Sequence, residues 1–160
     1  MATIQLTWES DAPLEGLDEA DIEQAGALYL KGLGLTGVVV NLFLAGDETL
    51  AQLNEQFRGK PTPTDVLSWS YGTSPESSNA PDSSDLEEDL FGEIAISLNQ
   101  ATLQAQENGW DLRTELLRLL AHGCTHLAGY DHETVDEERE MREIEIRLLA
   151  ESGLTGLYPE

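Results

Sequence analysis

A chain of 160 residues has room for one domain with a hydrophobic core and little for a second. No stretch approaches the roughly 18 to 20 continuous apolar residues of a bilayer span, and the opening MATIQLTWES lacks the basic and apolar regions of a signal peptide, which argues against membrane and secreted classes. Eight basic against 31 acidic residues give a net charge of −23, a balance that repels polyanions.

That charge is uneven. Acids concentrate before Gln24, over 76–93 and over 131–151, while 49–72 is much closer to neutral. The single cysteine, Cys124, has no internal disulfide partner and fits a reducing compartment, so a cytoplasmic protein is expected.

In chain order, alternation in TIQLTW (3–8) predicts a strand. An apolar stripe through Leu17, Ile22, Ala25, Leu28, Tyr29 and Leu33 predicts a helix ending at Gly34. The β-branched run VVVNLFLA (38–45) reads as a buried strand, and Asp47 as the cap of a helix through Leu50, Leu53 and Phe57. TDVLSWSY (64–71) and EIAISL (93–98) read as two more strands. Between them, 73–89 is rich in Ser, Pro and acids with little to bury, and is expected to be a flexible acidic loop.

From Leu98 the pattern turns helical: one segment near 99–108, a breaker at Gly109, then a helix from Asp111 to about Ala128. The last helix starts with Thr134, whose spacing to Glu137 fits a capping box, and ends near Gly153. The expected architecture is α+β, a mixed sheet of about four strands covered by about five helices in a single domain spanning 1–160. Strand order does not follow from the pattern.

All three histidines lie in AHGCTHLAGYDH (121–132). Residues four apart share a helix face, so His122 and His126 can aim two imidazoles at one point. His132 would fall on the far side of a continuing helix, so the chain must first turn back. Gly129 permits this, because a glycine just past a helix end accepts the left-handed conformation. Three neutral imidazoles leave the fourth tetrahedral position of zinc to water, the arrangement of catalytic zinc sites. Cys124, about 200° around the helix from either helical histidine, faces away and reads as core.

The spacing matches the metzincin protease pattern H-E-x-x-H-x-x-G-x-x-H, but Gly123 stands where the protease has its catalytic glutamate. Without that base, peptide hydrolysis is the weaker reading. HGCTHLAGYDH (122–132) resembles instead the YbeY signature H-G-x-x-H-L-x-G-Y-D-H. NEQFRGKPTPTDVLSW (54–69) is similar to that family's stretch around an arginine followed by T-D-V-L-S-F, and FGEI (91–94) resembles its L-G-D-I strand. Departures are Thr125 for leucine, Trp69 for phenylalanine, Glu93 for aspartate and the inserted acidic 73–89 segment.

The resemblance implies a single-strand-specific, metal-dependent endoribonuclease acting in ribosomal RNA maturation at the 16S 3′ end and in ribosome quality control. It implies one Zn2+ per chain held by His122, His126 and His132, with His122 and Arg58 as catalytic residues and Arg58 on the phosphate. A planar, permanently charged guanidinium suits that role, since it engages phosphate with two donors. Lys60 would add electrostatic hold on RNA. Precursor 16S rRNA and the small ribosomal subunit with its proteins would be the partners, with no membrane and no DNA. Thr64 and Asp65 read as turn residues, Trp69 as core, and Asp131 as either an orienting carboxylate for a histidine or a cap. Rival readings are a zinc peptidase-like hydrolase and a non-catalytic ribosome-assembly factor with a structural metal.

Overall fold

Strand β1 (Thr3–Trp8) leads through helix α1 (Glu19–Gly32) to β2 (Val39–Ala45), and β2 leads through α2 (Asp47–Arg58) to β3 (Val66–Ser70). After these come β4 (Leu90–Ser97), α3 (Leu98–Asn108), α4 (Leu112–Leu127) and α5 (Val135–Glu151). The computed structural model describes residues 2–9, 18–60, 62, 64–70, 90–130 and 133–155. The expected acidic loop at 73–89, together with Asp131 and His132, lies outside them. Among the described residues no helix is long and apolar enough to cross a membrane.

The sheet order is β1-β2-β4-β3. β1, β2 and β4 run parallel, and β3 is antiparallel to β4 at the sheet edge. This is the mixed four-strand sheet with five helices that the pattern predicted, with the strand order now supplied.

Side chains alternate across the sheet, so its two faces bury different partners. Val40, Leu42, Leu44, Ile94 and Ile96 join Ile22, Tyr29 and Leu30 of α1, the leucines of α4, and Leu148 and Leu149 of α5 in the main core. The opposite register, Ala45, Leu67 and Ala95 with the partly buried Phe43 and Trp69, packs under Leu50 and Leu53 of α2. Trp69 is therefore a packing residue, as expected.

The helix ends follow their sequence signals with one exception. Asp18, Asp111 and Thr134 each cap a helix through their side chains, and Thr134 with Glu137 forms the full capping box. At α2 the cap position is Gly46, not Asp47, and it makes no side-chain cap. The first amides of α2 are satisfied from elsewhere, Asp47 N–H donating to Asn99 Oδ1 at 2.9 Å and Gly46 N–H to Glu9 Oε1 at 2.9 Å. With its own amide satisfied, the Asp47 carboxylate turns to Ser97 Oγ at 2.7 Å and Gln100 Nε2 at 3.2 Å. It ties α2 to the β4–α3 junction.

Candidate functional site

Helix α4 is buried nearly all round; from residue 114 to 127 only Arg118, His122 and His126 escape full burial. Those three are spaced by four and form one seam along the helix, the place where a polar side chain can reach out of the core. The two imidazole centroids are 4.7 Å apart with planes crossed at 86°. Cys124, on the other side, is fully buried, and burial pushes its thiol pKa up.

The seam is fixed from below by Gly123. A Cβ there would meet three carbons of Ile94 at 3.0, 3.1 and 3.2 Å, so α4 lies against β4 at a distance only glycine allows without displacement. A glutamate at this position would be driven into the sheet. The residue type that separates the chain from the protease pattern is thus the one this tight packing favours.

Helix α4 ends as its sequence suggests. Gly129 has φ +103, its amide donates to His126 O at 2.9 Å, and Tyr130 N–H donates to Thr125 O at 3.3 Å. This pair of bonds is a Schellman motif, which reverses the chain directly before Asp131 and His132. The third histidine itself lies outside the described residues.

A cavity of about 340 Å³ opens over the seam, lined by Arg58, Thr64, Asp65, Val66, Ser68, His122 and His126. Arg58 is the last residue of α2. Gly59, in the left-handed conformation at φ +73, closes that helix, and the buried Asn54 pins the following segment by donating to Thr62 O at 2.9 Å. Asp65 Oδ1 accepts from Val66 N–H at 2.8 Å, and its Oδ2 accepts from Gln104 at 3.3 Å. Thr64 and Asp65 therefore make turn-type contacts and also form cavity wall. Lys60 is exposed beside Arg58 and does not line the cavity.

Arg113, Arg118 and Arg142 are each paired with a carboxylate, on Asp21, Glu115 and Glu138 respectively. Among the described residues Arg58 and Lys60 have no acidic partner, a condition they share with Lys31, Arg139 and Arg147.

Glu145 is the residue that sequence reasoning missed. It is 5 % exposed, on α5, and its Oε2 lies 2.8 Å from His122 Nδ1. The signal was readable: Glu145 occupies a place in the apolar stripe Met141, Glu145, Leu148, Leu149, where a carboxylate serves packing poorly.

Two histidines fit a metal centre in kind and position, with Nδ1 of one held by a carboxylate. No group of three or more His, Cys, Asp or Glu placed for a metal occurs among the described residues.

The α+β sheet carries a cavity lined by two histidines and an arginine, residue types that suit a hydrolase acting on an anionic ester. The comparisons with known proteins give the family. The model of the family "Endoribonuclease YbeY" matches residues 17–153, and the chain belongs to that family.

The chain is 36 % identical over 152 residues to the endoribonuclease YbeY of Symbiobacterium thermophilum, covering 95 % of this chain and 92 % of the relative. It is 35 % identical over 158 residues to that of Desulfitobacterium hafniense, covering 94 % and 98 %. The Myxococcus xanthus protein of the same name is 39 % identical over 128 residues, and the chain spans only 41 % of its length. A solution structure of a Thermotoga maritima protein superposes with a TM-score of 0.53 at 24 % identity over 98 % of this chain and 99 % of that one, which supports the fold. The expected membership, fold class and endoribonuclease class all stand.

Proposed function

We propose that the cavity cuts single-stranded RNA and that its substrate is the precursor of 16S rRNA near the 3′ end, met on the small ribosomal subunit in the cytoplasm. The observation that carries this reading is the meeting of Arg58, His122 and His126 in one cavity, from two helices whose sequence blocks both match the family pattern.

The residues that would hold a zinc ion are His122, His126 and His132. When bound, zinc would supply a Lewis acid for the phosphoryl oxygen and a nucleophile at neutral pH. Arg58 engages the non-bridging phosphate oxygens with two donors and stabilises the charge that builds on them in the transition state. Lys60, exposed two residues further on, holds a flanking phosphate. With Gly123 after the first histidine, the chain lacks the glutamate that serves as general base in the peptidase pattern.

The test is metal analysis of the purified protein together with cleavage of a single-stranded fragment of precursor 16S rRNA. Arg58→Ala keeps its zinc and loses about 10²- to 10³-fold in cleavage rate, the scale of removing one group that stabilises transition-state charge. His126→Ala loses both zinc and cleavage, and casein is left intact by all three proteins. Equal cleavage by wild type, Arg58→Ala and His126→Ala would assign the activity to a contaminant and remove the reading.

A further inference from the structure

Glu145 is a buried carboxylate in a stripe that Leu or Met would continue without cost. Burying such a group is unfavourable unless its partner repays the desolvation. One partner of this carboxylate is a ring nitrogen of His122, at 2.8 Å. The bond joins α5 to α4 at one of the two described histidines of the cavity, and the Glu145 side chain is 6 % exposed against 27 % for His122. The carboxylate therefore reaches the histidine from the protein interior, while the histidine itself lines the cavity.

We propose that Glu145 is a positioning residue that fixes the tautomer and orientation of His122, and so sets the affinity of the cavity for a divalent metal. An ionised carboxylate only accepts hydrogen bonds, so the proton of neutral His122 sits on Nδ1. Nε2 is then the ring nitrogen that carries the lone pair, in a side chain that lines the cavity. Without Glu145 the Nδ1–H tautomer loses the carboxylate acceptor that favours it, and metal binding must select the competent tautomer from a mixed population. The inference rests on the metal-centre reading above for its consequence, but its first step concerns the metal-free chain alone.

The experiment has two readouts on the full chain. Long-range 1H–15N correlation spectra of histidine-labelled, metal-free protein above neutral pH report the tautomer of each ring, with His122 assigned through His122→Gln. Wild type shows His122 with the proton on Nδ1. Glu145→Gln, whose Oε1 still accepts that proton, keeps it there, and Glu145→Leu shifts the ring toward the Nε2–H form.

Zinc competition against a chelator is the second readout. Glu145→Leu weakens binding by about 10- to 100-fold, the usual effect of deleting a carboxylate behind a ligand histidine, and Glu145→Gln by less. Thermal unfolding of metal-free Glu145→Leu separates this role from a plain strut between helices. A positioning role leaves the melting temperature at or above that of wild type, because leucine completes the apolar stripe.

His122 protonated on Nε2 in wild type, or Glu145→Leu with wild-type zinc affinity, would overturn the proposal. Wild type that binds no zinc would instead sink the metal-centre reading, with the tautomer spectra still deciding the role of Glu145. Should Glu145→Leu fail to fold, the wild-type and Glu145→Gln spectra carry the same decision.

Discussion

The two walls of the cavity are built on opposite plans. The histidine wall belongs to a helix buried on nearly every side, set against the sheet at Gly123 and backed by Glu145. The arginine wall is the last residue of α2 and the segment after it, where Arg58, Gly59 and Lys60 are all exposed. Groups that must converge on one point to a fraction of an ångström gain from a rigid, packed support. A group that must follow the backbone of a flexible polyanion gains from reach. The histidine wall should therefore fail by unfolding or by losing geometry, and the arginine wall by losing rate or affinity in a protein that stays folded.

The largest expected effect breaks the histidine wall. Gly123→Glu places a side chain against Ile94 at separations that begin at 3.0 Å, and overpacking alone costs about 1–3 kcal/mol. A carboxylate with no partner in that interface adds its own desolvation cost. Urea unfolding should show a variant that is grossly destabilised or unfolded at 37 °C. Gly123→Ala should cost less, and combined with Ile94→Ala it should cost less than the sum of the two single changes, because the second removes the carbons that the new methyl meets. Wild-type stability for Gly123→Glu would mean that α4 can lift from the sheet without penalty, and the contrast between the walls would go with it.

The arginine wall was legible in the sequence only through family likeness. Nothing in the charge or period of 54–69 distinguishes Arg58 from an ordinary helix-terminal arginine, and its role depends on α2 ending at the mouth of the cavity, a long-range fact. The histidine wall was legible from spacing alone, since the four-residue repeat and Gly129 act locally. The helix starts at Asp111 and Thr134 were readable for the same reason. The Asp47 cap was misread because Asn99, 52 residues away, supplies the acceptor. Glu145 went unremarked because a lone glutamate in an acidic helix looks like one more solvated charge until its neighbours Met141, Leu148 and Leu149 are seen to be buried.

A smaller effect sharpens the comparison by loosening the histidine wall at its far end. Asp111 caps α4, accepting from Thr114 N–H at 2.9 Å, and the bonds from Thr114 hold its carboxyl below the usual carboxylate range. Asp111→Ala should cost about 1 kcal/mol in unfolding free energy, with cleavage by the folded fraction preserved. Since the folded pKa is the lower one, the stabilisation is complete above the unfolded value near 4. It is lost as pH falls through the lowered folded value. The gap between wild type and variant should therefore be constant from pH 5 to 8 and shrink below about pH 4. A gap that widens on acidification would show that the carboxylate is not the group at work.

The smallest effect tests the arginine wall without touching the chemistry. Lys60 is exposed, has no acidic partner among the described residues and does not line the cavity, so Lys60→Ala should leave both fold and zinc unchanged. On a single strand each phosphate contact contributes about 0.7 to the slope of log affinity against log salt. The variant should lower that slope in magnitude by about this amount, and weaken RNA binding a few-fold at low salt with the rate at saturating substrate retained. Because the chain carries −23 overall, its surroundings repel RNA, and losing one of two cations beside the cavity should be felt more at low ionic strength than at high. Unchanged salt dependence would confine the phosphate contact to Arg58 and reduce the arginine wall to a single residue.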